Sequence, residues 1–143
     1  HLYWAMVWFR WIDADNFAKG PAHFVDRAPE EARQQLREGL QAAPPPELHA
    51  HGLGRHSREQ IAELGTRSID ALAVLLGEHD YLFGDRPHAV DAIGFAVLAA
   101  VLTPFFDTPL RSAAERHPNL VAYVARMMRF YYPAHAWQQS LAA

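Results

Sequence analysis

The segment Tyr81-Leu-Phe-Gly-Asp-Arg-Pro-His-Ala-Val-Asp91, together with the apolar run at 92–102 that follows it, decides how this chain folds. Residues 84–87 contain Gly and Pro and predict a turn that ends the preceding element. The carboxylate of Asp91 can accept from an unpaired backbone N–H at the start of the next helix, which is half of a capping box. His88 is a weaker cap at the same helix start. The segment therefore predicts the start of a buried helix.

Other helices are predicted on both sides of this segment. Trp4, Val7, Trp8 and Trp11 recur at steps of three and four residues, which predicts a helix from residue 2 to about residue 17. Further helices are predicted from residue 29 to just before the prolines at 44–46, from 109 to about 115, and from a cap at Asn119 to Pro133. Residues 49–56 contain two glycines and predict a loop.

Ser57 and Gln60 form a capping-box pattern before another run of apolar residues at helical spacing, which should end near Gly77. The sequence shows no alternating apolar pattern and no hairpin turn, so strands are not expected. The sequence therefore predicts an all-α fold, a helical bundle of about five to seven helices.

The composition limits the classes of function. A chain of 143 residues suits one domain, and half of its residues are hydrophobic. The net charge of -3 offers no basic surface for nucleic acid. Without Cys there is no disulfide, thiolate nucleophile or Cys-based metal site. The apolar run at 92–102 is shorter than the roughly 20 residues that cross a bilayer. We find no secretion signal and expect a cytoplasmic protein.

Three histidines raise the question of a metal site. His49, His51 and His56 lie close together with Arg55 between them, and imidazoles at such spacing can bind a divalent metal. No carboxylate stands at a fixed step from them, so a solvated loop is the favoured interpretation and no metal is predicted.

The motif around Asp91 carries a family resemblance. Tyr81, Leu82, Gly84, Pro87 and Asp91 resemble the helix start of the C-terminal domain of glutathione transferases, where His88 stands in place of the usual Ser or Thr. The segments at 2–4, 10–11, 52–57 and 117–123 resemble one branch, the bacterial transferase-like proteins related to failed-axon-connections proteins and metaxins.

This resemblance implies a function. The chain would be a single C-terminal helical domain, residues 1–143, with a thioredoxin-like domain expected upstream of His1 but absent from the chain. That domain would bind glutathione, the co-substrate, and would supply the residue that activates its thiol, so no catalytic residue is assigned here. The first helix would line the cleft for an apolar electrophile, with five candidate substrate-binding residues: Tyr3, Trp4, Val7, Trp8 and Trp11.

Alternatives remain open at this point. Each of these five residues could instead belong to the core, and Asp91 is interpreted as a capping residue rather than a catalytic one. Arg10, Asp13 and Asp15 could contact the polar part of a ligand or a partner, or simply face water. The relatives usually form homodimers. Metaxin-like relatives imply a second function, a non-catalytic interaction or adaptor domain.

Overall fold

The structure is a computed structural model that describes residues 1–135, and the prediction of an all-α fold is confirmed. Among these residues no strand forms, and the pairing of Tyr81 with Gly84 is an isolated bridge. One more helical piece or a frayed tail is predicted for residues 134–143, of which residues 136–143 lie outside the described residues. The α-helices are α1 (Leu2–Trp11), α2 (Ala14–Lys19), α3 (Glu30–Ala42), α4 (Pro44–His51), α5 (Arg58–Leu76), α6 (Ala89–Val101), α7 (Pro109–Glu115) and α8 (Pro118–Tyr131).

The first predicted helix is too long, because the chain forms two helices there. Helix α1 ends at Trp11, and Asp13 adopts an extended backbone conformation before α2. A carboxylate oxygen of Asp13 accepts from the backbone N–H of Asn16 at 3.2 Å. Because this side chain satisfies an unpaired N–H of the new helix, it stabilises a fresh helix start.

The three prolines also begin a helix, although the sequence interpretation placed only the end of a helix before them and a loop after them. Residues 44–46 form the first positions of α4. The first N–H groups of a helix have no intrahelical partner, so proline loses nothing there, and its fixed φ suits the first turn. Helix α4 ends at Gly52, whose φ of 103° is a left-handed conformation that glycine adopts freely. His49 and His51 therefore lie on a helix rather than in a loop.

The cap of α8 also differs from the prediction. His117 is the N-cap, and Asn119 lies inside the first turn of the helix. The side-chain amide of Asn119 donates to the carbonyl oxygens of Ala73 at 2.9 Å and Gly77 at 3.0 Å. These carbonyls lie at the C-terminal end of α5, where the Ala73 carbonyl also accepts from the Gly77 N–H at 3.0 Å. Asn119 thus caps the end of another helix.

Two compact units make up the chain. The first contains residues 1–65 and 105–108, and the second contains residues 66–104 and the chain from 109 onward. In the first unit, α1 packs against α2 and α4 around buried side chains that include Phe9, Leu48, Leu53 and Ile61. In the second unit, α6, α7 and α8 pack together around buried side chains that include Leu82, Leu98, Leu110, Leu120 and Tyr123. No helix within residues 1–135 is both long and apolar enough to span a membrane.

Candidate functional site

Helix α1 has two faces of different burial. At 100° per residue, Leu2, Ala5 and Phe9 lie on one side of the helix. All three are buried, and the exposed fraction of Phe9 is 0%. Phe9 is further covered by Arg58, whose guanidinium lies 5.2 Å from the centre of the ring. This side of α1 is therefore the part that belongs to the core of the first unit.

The five predicted substrate-binding residues lie on the opposite side, which we call the α1 aromatic face: Tyr3, Trp4, Val7, Trp8 and Trp11. Four of these side chains are half-buried, and Tyr3 is 51% exposed. The rings are held by neighbours in the same unit. Trp4 lies 4.9 Å from the His51 ring, and Trp11 lies 5.8 Å from the Phe24 ring. The structure thus brings the five residues together on one partly accessible surface.

The charged residues near this face are engaged within the chain. The Arg10 guanidinium lies 4.2 Å from the centre of the Phe106 ring, and burial lowers the pKa of Arg10 to about 10. Asp13 accepts from Arg58 at 3.0 Å. Burial alone raises the pKa of Asp13, but the bonds from Arg58 and Asn16 hold it below its usual value. Asp15 is exposed.

The histidines that raised the question of a metal do not form a ligand set. Across residues 1–135, no group of three or more His, Asp or Glu side chains is arranged to hold a metal ion. His51 instead packs on the Trp4 ring. The backbone carbonyl of His49 accepts from the side chain of Arg55 at 3.1 Å.

The predicted capping residues lie at two helix starts. At α5, the Gln60 side chain accepts from the Ser57 N–H at 2.9 Å, and the Ser57 hydroxyl accepts from the Gln60 N–H at 3.3 Å. At α6, His88 is the N-cap, and the Asp91 carboxylate accepts from the His88 N–H at 2.8 Å.

Asp91 makes further bonds that the sequence did not indicate. Its carboxylate also accepts from the Leu82 N–H at 2.9 Å and from the Tyr123 hydroxyl at 3.0 Å, while only 1% of the residue is exposed. Burial alone raises the pKa of Asp91, but these hydrogen bonds more than offset it and hold the pKa below its usual value. The buried phenol responds in the opposite sense, because burial and the neighbouring carboxylate raise the pKa of Tyr123. Asp91 therefore stays ionised at neutral pH.

A pocket that the sequence interpretation missed lies beside this carboxylate. Its volume is about 430 Å³, within the range of small-molecule sites. It lies between the first turns of α6 and the end of α8, and its walls include Asp91, Ala92, Phe95, Met127, Tyr131 and Tyr132. The paired tyrosines at the end of α8 were a signal that could have indicated it.

Comparison with known proteins matches part of this chain to a family. Residues 65–127, which include α6 and α7, match the family described as "Glutathione S-transferase, C-terminal domain". This part of the chain is similar to the C-terminal domain of glutathione S-transferases. The resemblance inferred from the Asp91 motif is thereby confirmed. No solved structure matches the chain at a significant level.

Three similar proteins match this chain over different lengths. The isoprene-epoxide–glutathione S-transferase of Rhodococcus sp. (strain AD45) is 30% identical over 139 residues, which are 92% of this chain and 56% of that protein. Failed axon connections of Drosophila melanogaster is 38% identical over 89 residues, 60% of this chain and 21% of that protein. Human metaxin-2 is 28% identical over 86 residues, 59% of this chain and 33% of that protein. The chain thus spans about half the length of the transferase and less of the other two.

Proposed function

We propose that this domain forms the apolar wall of a substrate cleft in a glutathione S-transferase-like protein. The thiolate of glutathione would attack an apolar electrophile, forming a carbon–sulfur bond as the bond to the leaving atom breaks. A thioredoxin-like domain preceding this one would bind glutathione and would supply the group that lowers the pKa of its thiol. The observation that carries the proposal is the α1 aromatic face.

The burial of α1 supports this assignment. The core of the first unit uses the side of Leu2, Ala5 and Phe9, so the three tryptophans are not needed to fill it. Large, partly accessible aromatic surfaces are characteristic of ligand sites and interfaces. Similarity to a protein named as an isoprene-epoxide–glutathione S-transferase extends over 92% of the chain.

The proposal is tested first on the natural protein. We would purify from its native source the protein that contains this chain and measure its intact mass and its retention on immobilised glutathione. A mass roughly 8–12 kDa above the 16.1 kDa of this chain would leave room for the expected domain. Retention with release by free glutathione would support the proposal, and no retention would contradict it.

The role of the α1 aromatic face is tested with that same protein. Three of the four tryptophans of the chain lie on α1, so tryptophan fluorescence reports on this surface. We expect Trp8→Ala to weaken the binding of an apolar fluorescent dye about tenfold, the loss of one good aromatic contact. Phe130→Ala removes an aromatic side chain that is 70% exposed on α8 and serves as the control. Equal binding of the dye by both variants would exclude the α1 aromatic face as its binding surface.

A second function, a non-catalytic adaptor, is supported by similarity to failed axon connections and metaxin-2. On this proposal the α1 aromatic face binds a protein rather than a small electrophile. Exposed apolar patches serve both purposes. The two functions can be distinguished by one purification, since an adaptor would co-purify with a partner that Trp8→Ala releases and would show no conjugation of glutathione.

A homodimer and a cytoplasmic location stay predictions.

A further inference from the structure

The pocket between α6 and α8 has a charge and a lining that select one class of ligand. We propose that it binds a quaternary or alkylated ammonium group attached to a small apolar body. None of its walls comes from the α1 aromatic face, so this site is independent of the proposed conjugation function.

The walls are aromatic and aliphatic. Phe95 and Tyr132 stack with their ring centres 6.0 Å apart and their planes 26° from parallel. Tyr131 and Tyr132 are 48% and 55% exposed, so their rings are accessible at the pocket. The negative faces of such rings attract cations, and quaternary ammonium ions are well suited because they need no hydrogen-bond partner.

A carboxylate lies among the residues that line the pocket. Asp91 is the carboxylate among the pocket walls, and its oxygens already accept from Leu82, His88 and Tyr123. These donors hold the carboxylate in place and leave its charge buried in surroundings of low dielectric, where its attraction for a cation is strong. A ligand anion would be repelled by the same charge.

The neighbouring cation does not cancel this charge, because it has its own partner. Arg126 lies on α8, and its guanidinium forms an ion pair with the Asp80 carboxylate at 3.1 Å. The charge of Arg126 is therefore already paired with that of Asp80. Asp91 has hydrogen-bond donors but no Arg or Lys within salt-bridge distance in the described residues. The site is complementary to a ligand cation.

Three probes of similar shape test the charge preference. These are phenyltrimethylammonium, its neutral isostere tert-butylbenzene, and the anion benzenesulfonate. The chain contains three methionines, Met6, Met127 and Met128, and Met127 lines the pocket while Met6 lies on α1. We would follow the ¹³C-labelled methyl groups by NMR, with the protein that contains this chain.

We expect phenyltrimethylammonium to shift the Met127 methyl signal saturably, with a Kd of about 0.1–1 mM for so small a ligand. The Met6 signal should stay unchanged. The neutral isostere should bind at least about tenfold more weakly and the anion more weakly still. Equal affinity for the neutral isostere, a stronger response to the anion, or no shift of Met127 at about 10 mM cation would each overturn the proposal.

Two variants identify the groups responsible. Asp91→Asn removes the charge and keeps the shape, and we expect it to abolish the preference for the cation. Tyr132→Leu removes an exposed ring and leaves Asp91 intact, so it tests the site even if the Asp91 variant does not fold. We expect it to weaken binding about tenfold. Phe130→Leu, on the same helix but outside the pocket walls, should bind as the unmodified protein does.

The ammonium group could come from a soluble metabolite or from a lipid headgroup. Vesicles of phosphatidylcholine that reverse the Met127 shift would assign it to a lipid. Vesicles that leave the shift unchanged would assign it to a soluble cation. The site stands in either case, whereas an unchanged cation preference in Asp91→Asn or unchanged binding by Tyr132→Leu would overturn it.

Discussion

Helices α1 and α6 were both predicted from short sequence patterns, and they differ in what those patterns specified. In α1 the aromatic residues at helical spacing correctly indicated a helix, but the core uses the opposite side, with Phe9 fully buried. In α6 the position of Asp91 relative to His88 indicated a specific hydrogen bond, and that bond is present at 2.8 Å.

The difference is physical. A capping carboxylate must reach an N–H within a few ångströms along the same segment, so the contact follows from local geometry. An apolar stripe only requires some neighbour, and that neighbour can be a core, a ligand or another domain. A helix that is apolar on two sides, as α1 is, therefore leaves the choice of core side to the rest of the chain.

The strongest test of this comparison is to truncate each side of α1. We expect Phe9→Ala to lower the free energy of unfolding by about 3–5 kcal/mol, because it leaves a cavity in the core. Trp8→Ala should cost only about 1–2 kcal/mol, since its side chain is half-buried. Urea unfolding followed by circular dichroism measures both. A larger loss for Trp8→Ala than for Phe9→Ala would reverse our assignment of the two sides.

The second test removes the buried carboxylate of α6. We expect Asp91→Ala to cost about 2–4 kcal/mol, because it leaves the Leu82 N–H buried without its acceptor and the Tyr123 hydroxyl with only the backbone carbonyl of residue 91 at 3.2 Å. Asp15→Ala, which removes an exposed carboxylate in the first turn of α2, is the control and should change stability by less than about 1 kcal/mol. Thermal or urea unfolding of the three proteins side by side decides the matter, and equal stabilities would show that the hydrogen bonds of Asp91 contribute nothing.

Acid should lower the free energy of unfolding by less than Asp91→Ala does, because protonation removes the charge of Asp91 but keeps its side chain. The pKa of Asp91 is lowered on folding, so its contribution is complete above the unfolded pKa of about 3.9 and is lost as pH falls through the folded value. Asp13 acts in the same direction. Urea unfolding between pH 6 and pH 2.5 should show stability falling below about pH 4, and the slope should be shallower in Asp91→Asn.

The smallest expected effect concerns the cap that Asn119 provides for α5. Asn119→Ala should cost about 1 kcal/mol, because the Ala73 carbonyl keeps the Gly77 N–H as a donor and the exposed Gly77 carbonyl can reach water. Amide hydrogen exchange should become faster in the last turn of α5 and stay unchanged in α1. Unchanged exchange at both places would mean that the bonds to Ala73 and Gly77 are not maintained in solution.

The fold was largely predictable because helix starts depend on neighbours in sequence. The capping pattern of Ser57 and Gln60 correctly located the start of α5, and the turn before Asp91 located the start of α6. Gly77, with a φ of 53°, ends α5 as predicted. The helix end before prolines 44–46 was predicted correctly, but the helix that begins at them was missed, because proline is compatible both with the end of one helix and with the first turn of the next.

The pocket was harder to predict, because its walls come from positions distant in sequence. Asp91 and Tyr123 are 32 residues apart, and no local pattern indicates that a phenol will meet that carboxylate. Ile93 gives a related lesson. The whole segment at 92–102 was expected to be buried, yet Ile93 is 72% exposed. Only one side of α6 packs against α7 and α8.

The bond from Asn119 to the end of α5 also bears on the order in which the chain is completed during synthesis. Asn119 follows Gly77 by 42 residues and Ala73 by 46. On a translating ribosome the last turn of α5 is therefore made well before the side chain that caps it. The end of α5 gains this cap only when the first turn of α8 emerges, so α8 completes a helix that was made earlier.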